Sequence, residues 1–409
     1  MSRGITEFQP DRLVQVLAAR RLSQTQLATM VGVSPATISK WRSGQQAPES
    51  EALERLASVV NVTSEWFTRP MLPGMSKPLF RSNASAHATA RAMLDTRIHW
   101  ANELVTKLTE FVDLPKLKLP SRHFTNIDEI GDADIEDAAN ECRALWNLGT
   151  KEIPDLVLAA ESNGIIVVRE ETGIAQIEGL SAWSETLGVP FVLLSSDKGN
   201  AFRSRFDLAH EIGHLILHRY VGNELEAERY KLKEAQAHKF AGALLLPAET
   251  FAEEVKTPVT LDSLLLTKQR YGISVAACIM RLYALSIITE EEKQNLYKRR
   301  SARWGVKSEP GDDYREPEKP RLLKRTIELL ASSGIISVEG LAAFSGLSAI
   351  DVEMMVGLPN GYLTDKKAAV VHLTRLKSML DQQCEKDVSE QKGALVQFTR
   401  FPQKSLAKK

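Results

Sequence analysis

The chain has 409 residues, 43% of them hydrophobic and 25% charged, with 52 Lys+Arg against 52 Asp+Glu; this is a soluble globular composition with room for two to four domains of roughly 100–200 residues. No run of about 18 apolar residues occurs, and the opening MSRGITEFQP lacks the basic start and apolar stretch of a secretory signal, so no membrane partner and a cytoplasmic location are expected. Cys142, Cys278 and Cys384 are far apart and odd in number, which points away from a disulfide framework or a cysteine zinc cage, while zero net charge still leaves room for one local basic face.

Residues 9–69 alternate short amphipathic stretches with turn signals, a spacing that suits small helices. Leu13, Val14, Leu17 and Ala18 mark the first helix. Ser23 then stands as an N-cap with Gln26 three residues on, and Leu27, Ala28 and Val31 continue at helical spacing to Gly32. Ser34-Pro35 opens a third helix that runs through Trp41. Two short helices joined by a tight glycine turn make a helix-turn-helix, whose second helix enters the major groove by its N-terminal end. Ala36, Thr37, Ser39 and Lys40 are the residues expected to be exposed there. The same spacings also suit an amphipathic three-helix unit that never meets DNA.

Residues 22–62, LSQTQLATMVGVSPATISKWRSGQQAPESEALERLASVVNV, closely resemble the lambda-repressor-like (XRE) family. The resemblance implies that Gln24 touches a phosphate of a double-stranded operator. It also implies that Pro35, Ala36, Thr37 and Lys40 face bases, and that Ser43 and Gln45 face the backbone. Pro35 and Ala36 are poor base readers, so specificity would rest on Thr37, Lys40 and DNA shape. Residues 1–69 hold eight Lys/Arg against six Asp/Glu, a net +2 by subtraction. The phosphate term is therefore modest and tight binding is expected to need a homodimer.

Residues 70–80 contain three prolines and a glycine, a domain boundary, and residues 84–112 lack both, which predicts one long helix. Helices are then expected at 135–148 and 154–163, with candidate strands at 165–169, 179–183 and 191–194. The 179–183 strand presents an edge to which an extended peptide can add.

Residues 204–220 form the next predicted helix, with Phe206, Leu208, Ala209, Ile212, Leu215 and Ile216 on a broad apolar stripe. It carries His210-Glu211-Ile212-Gly213-His214. Positions i and i+4 sit about 5–6 Å apart on one helix face, so two imidazoles can hold one zinc while the intervening glutamate reaches a water on the metal. Catalytic zinc takes three protein ligands and keeps one open position, and the third ligand is expected from another helix. The helical pattern from Glu234 to Leu246-Pro247 lies at a suitable distance, Glu234 being 20 residues after His214.

HEIGHLILH, followed by a carboxylate before Ala-x-x-Phe-Ala-x-x-Leu-Leu-x-Pro, resembles the ImmA/IrrE metallo-endopeptidases. That resemblance implies zinc held by His210, His214 and Glu234, with Glu211 as general base. It further implies a repressor-like protein as substrate: this chain itself, a neighbouring subunit or a separate repressor. His238, one turn after Glu234, stands where the family commonly has Asn or Asp; it either orients a ligand or competes as one. His218 is read as a fourth ligand or as a residue favouring the helix C-terminus when protonated. Tyr220, His218 and Arg203 are candidate oxyanion stabilisers, and His87, His99, His123 and His372 read as ordinary packing or surface histidines.

Residues 260–297 read as further helices. The basic residues 298–307 and the acidic, proline-rich 309–320 are expected to be solvated. Residues 322–358 form another compact helical pattern whose exposed end is expected to hold Ala349, Asp351 and Glu353, a poor match for phosphates, so a protein-contact or sensor domain is expected; the basic tail 399–409 is expected to fray. The fold class expected is mainly α with a small β-sheet. The domains read as a five-helix helix-turn-helix domain at 1–70, a linker and long helix at 71–120, a zincin-like α+β peptidase domain at 121–256, its helical extension at 257–308 and a C-terminal helical domain at 309–409. The combination suggests a transcriptional regulator coupled to proteolysis. Two alternatives stay open at this point: a DNA-binding sensor with a non-proteolytic zinc or ligand pocket, and an antitoxin or defence-associated regulator.

Overall fold

The structure, a computed structural model, describes residues 4–72, 74–76, 79–80, 88–173, 178–222, 226–338 and 340–364. His87, His372, Cys384 and the tail 399–409 lie outside the described residues. The fold is mainly helical with one small sheet.

Helices α1 (Pro10–Arg20), α2 (Gln24–Val31), α3 (Pro35–Arg42) and α4 (Ser50–Val60) and a 3₁₀ helix (Ser64–Thr68) form the N-terminal unit. The α2 capping box closes reciprocally: the Gln26 N–H donates to Ser23 Oγ at 3.2 Å, and the Ser23 N–H to Gln26 Oε1 at 2.9 Å. Gly32 ends α2 at φ 78°, a conformation glycine adopts without a Cβ penalty. Ser34 Oγ then accepts from the Thr37 N–H at 3.1 Å to start α3.

Strand β1 (Leu79–Phe80) precedes α5 (Ala88–Leu108), which ends four residues before the expected 112; residues 84–87 of the expected helix lie outside the described residues. Next come α6 (Asp132–Leu145), α7 (Leu156–Ser162), β2 (Ile166–Glu170), β3 (Gly179–Trp183) and β4 (Pro190–Ser195). The sheet order is β1-β3-β4-β2, with β2 parallel to β4 and the other pairings antiparallel. Alternation of side chains divides its faces. Ile166, Val168, Leu180, Ala182, Phe191 and Leu193 join a core with α5 and the N-terminal unit, whereas Val167, Trp183, Val192 and Leu194 join a second core below.

That second core is completed by α8 (Ala201–Leu217) and α9 (Ala227–Leu245), followed by α10 (Ala248–Glu254), α11 (Leu261–Tyr271), α12 (Val275–Ala284) and α13 (Glu290–Trp304). Helices α14 (Leu322–Ser332), α15 (Gly340–Ser345) and α16 (Ala349–Val356) return to the first core. Packing therefore runs across the proline-rich 70–80 segment rather than stopping there.

Charged residues tie these parts together. Buried Arg12 of α1 forks onto Glu103 of α5 (2.7 and 2.8 Å) and donates to the carbonyls of Arg69 and Pro70. Arg69 donates to the carbonyls of Ala343, Phe344 and Ser345 at the end of α15, where orphan C=O groups need partners. Asp351, on α16, is buried and accepts from Arg20 of α1 and Arg97 of α5, and Arg97 also forks onto Glu170 of β2.

Two sequence expectations are corrected here. Asp351 and Glu353 are not exposed: Asp351 is consumed in the pairing with Arg20 and Arg97, and Glu353 accepts from the Gly361 and Leu363 N–H groups. The 309–320 segment is not simply solvated either. Glu309 accepts from the Val275 and Ala276 N–H groups at the start of α12 and pairs with Lys268 and Arg300; Glu318 accepts from the Leu156 and Val157 N–H groups at the start of α7 and pairs with Arg205. Carboxylates at helix N-termini satisfy unpaired N–H groups and complement the helix dipole.

Candidate metal centre and nucleic-acid interface

Helix α8 starts at Asn200, whose side chain accepts from the Arg203 N–H at 3.0 Å. Its turns place His210, Glu211 and His214 in the interior, each 2–3% exposed. Helix α9 approaches closely at Gly213, where an added Cβ would come within 3.0 Å of Phe240. This glycine lets α9 bring Glu234 opposite the two histidines.

His210 Nε2 and His214 Nε2 lie 3.0 Å apart, and each lies 3.4 Å from one carboxylate oxygen of Glu234. Among the described residues, these three side chains form the one His/Cys/Asp/Glu group able to hold a metal ion. The hydrogen bonds around them fix which nitrogen is offered. The Gln236 amide nitrogen donates to the carbonyls of Ile127 and Ile130, which turns Oε1 toward His218 Nε2 at 3.1 Å. His218 Nε2 is then the protonated nitrogen and its Nδ1 accepts from His214 Nδ1 at 2.9 Å. His214 Nε2 is left with a lone pair facing His210 and Glu234. Two imidazole nitrogens and a carboxylate at this separation repel unless a proton or cation stands between them, so the donor set fits a metal ion.

Burial pushes the His214 imidazole down to about 4 even with the Glu234 carboxylate 3.4 Å away, which favours the neutral, ligating form. Burial alone would raise the Glu234 carboxyl, but His210 and His214, each 3.4 Å from it, hold it well below the usual carboxylate range. His218, at the C-terminal end of α8, is pushed well below its ordinary value by burial and by His214. The neutral form is thereby favoured, with His218 hydrogen-bonded to both His214 and Gln236.

The remaining predicted site residues fall in different places. His238 Nδ1 is 2.8 Å from the Glu234 carbonyl, and its ring stands edge-on to His210 at 4.5 Å between centroids. Tyr220 is exposed and stacks on His123 at 4.9 Å, outside the His210, His214 and Glu234 group; Arg203 pairs with Glu178. Sequence reasoning missed Gln236, Tyr230 and Ser181. Tyr230 hydrogen-bonds Glu234, and burial together with that carboxylate keeps its phenol protonated. Ser181 of β3 donates to Glu211 Oε2 at 2.7 Å, and Gly179 on the same face leaves room beside Oε1.

At the other site, Pro35, Ala36, Ser39 and Lys40 of α3, with Ser43 and Gln45 just beyond it, are exposed in the full chain, while Gln24 and Thr37 are half-buried. Ile38 and Trp41 point into the core. Arg12, Arg20 and Arg69 are turned inward to the contacts described above, so the basic charge near the reading face comes from Lys40 and Arg42.

Comparison with family models matches the helix-turn-helix at residues 13–67 and the IrrE N-terminal-like domain, a peptidase family, at residues 160–283. Comparison with curated proteins gives no match. Among the described residues no helix is long and apolar enough to cross a membrane. The chain thus carries an XRE-type helix-turn-helix DNA-binding domain joined to an ImmA/IrrE-like peptidase-family domain.

Proposed function

We propose that this protein is a DNA-binding transcriptional regulator with zinc-dependent endopeptidase activity that cleaves a repressor-type protein, itself or a partner, to relieve repression. The observation that carries the reading is the convergence of His210, His214 and Glu234 beside Glu211, in a chain whose helix-turn-helix leaves Lys40, Ser43 and Gln45 exposed and Thr37 half-buried. His210 and His214 through Nε2, and Glu234 through its carboxylate, would hold the metal, with Tyr230 and the His218–Gln236 pair fixing their orientation. Zinc there supplies a Lewis acid for a peptide carbonyl and acidifies water. Glu211, steadied by Ser181, accepts the proton of the attacking water and returns it to the leaving nitrogen. On the DNA side, Thr37 and Lys40 read bases, Gln24, Ser43 and Gln45 contact the backbone, and a homodimer supplies the affinity that one modestly basic head lacks.

The test is incubation of the zinc-loaded full-length chain, and of Glu211→Gln, with lambda-repressor-like proteins and with itself, followed by mass spectrometry. One defined cut made by the unsubstituted chain and lost in Glu211→Gln is expected. Identical cleavage by both, or no cleavage with any such protein, contradicts the proposal.

A further inference from the structure

The sequence marks the 179–183 strand as an edge for an extended peptide, and in the fold that edge is taken by the chain itself. The Glu185 N–H donates to the Gly74 carbonyl at 3.3 Å, and Met75 bridges to Ser184. The Ser76 N–H donates to the Trp183 carbonyl at 2.8 Å, and the Trp183 N–H to Ser76 Oγ at 2.9 Å. Leu79 and Phe80 then pair antiparallel with Ser181 and Leu180. Removing this segment would leave β3 as the sheet edge on that side, because its other neighbour is β4.

The register links this edge to the chemistry. Ser181, the residue opposite Leu79, is the one whose hydroxyl holds Glu211, and Gly179 lies on the same face. A backbone added at this register therefore passes beside the general base, and main-chain pairing of this kind tolerates many side chains. A covalently attached segment competes at a high effective concentration, of order millimolar for a short flexible connection.

We propose that residues 74–76 and 79–80 are internal occupants of the peptide-binding edge of the peptidase site, so that a substrate polypeptide must displace them to reach Glu211. This rests on the peptidase reading above for the identity of the site, but the occupancy is testable without turnover. In the zinc-loaded, full-length Glu211→Gln protein, Ser76→Pro removes the donor to Trp183, and Ser76→Ala removes only the acceptor for the Trp183 N–H. The probes are amide hydrogen exchange over residues 179–185 and fluorescence anisotropy of a labelled synthetic peptide of residues 72–82. Exchange about ten-fold faster and peptide binding about ten-fold tighter are expected for Ser76→Pro, the equivalent of about one hydrogen bond, with a smaller change in the same direction for Ser76→Ala. Unchanged exchange and unchanged peptide affinity in both variants would overturn the proposal, and if Ser76→Pro fails to melt cooperatively, Ser76→Ala alone decides. Tighter peptide binding without cleavage by the corresponding proteins that retain Glu211 would uphold the occupied edge and sink the peptidase reading.

Discussion

Two groups of buried charged and polar side chains lie on opposite faces of the small sheet, and they are built on opposite principles. Around Arg97, two cations meet two anions: Arg97 forks onto Glu170 at 2.7 and 3.0 Å and reaches Asp351 at 2.5 Å, and Arg20 meets the same Asp351. Donors and acceptors match, so the group is complete as it stands and ties α1, α5, α16 and β2 together. Around Glu234, the Nε2 atoms of His210 and His214 and a carboxylate converge within 3.4 Å, with the lone pair of His214 and the carboxylate oxygens facing the same point. Buried charges that balance are mortar between helices; buried acceptors that crowd together call for a cation.

The comparison breaks most visibly if one member of the balanced group is removed. Arg97→Ala leaves Glu170 and Asp351 buried with one fewer cation, and is expected to cost about 3–5 kcal/mol in urea unfolding while zinc content stays at one per chain. Loss of zinc in that variant, with the fold intact, would show that the two groups are not independent. A substitution on the other side should do the reverse. His218→Ala removes the acceptor for His214 Nδ1–H and is expected to weaken zinc binding about 10–100-fold in chelator competition, with a far smaller effect on the stability of the metal-free protein than Arg97→Ala. Unchanged zinc affinity would remove His218 from its positioning role.

Acid tests the balanced group when the unsubstituted protein is compared with Asp351→Asn, the other titrating groups being common to both. Burial raises the Asp351 carboxyl, but hydrogen bonding from Arg20 and the charges of Arg97 and Arg20 outweigh it and bring it down to about 2, from an ordinary 3.8. A carboxyl depressed by folding stabilises the fold above its unfolded value, so this contribution is present above about pH 4 and lost as pH falls toward 2. Its size is about 2 kcal/mol. Asp351→Asn should flatten that part of the stability profile, and an unaltered slope would contradict the assignment. The smallest effect concerns the exposed face. Lys40→Ala should weaken operator binding by about 1–3 kcal/mol if it reads a base; as a phosphate contact only, it should weaken all sequences alike and lower the salt slope by about 1. The first outcome shows as relaxed preference at one base pair in competition binding.

How much of this was legible in the sequence follows from where each partner comes from. The helix-turn-helix could be read because its signals are local: the Ser23–Gln26 box, Gly32 and Ser34-Pro35. His210, Glu211 and His214 could be read because helical spacing alone puts them on one face. Glu234 needed a family resemblance, and Ser181, Tyr230 and Gln236 were missed because nothing nearby in the chain says which strand or turn will face them. Asp351, Glu309 and Glu318 were misjudged for a related reason. A run of charges looks the same in sequence whether water or a distant arginine and a helix N-terminus will satisfy it.

His210, His214 and Glu234, beside Glu211, are proposed to form an open zinc site. X-ray absorption spectroscopy of the zinc-loaded full-length protein tests it most directly. The account predicts one zinc per chain with two imidazole nitrogens, a carboxylate oxygen and one further light-atom ligand, and loss of that signal in Glu234→Ala. A shell containing a third imidazole or sulfur, or a protein that takes up no zinc at all, would contradict it.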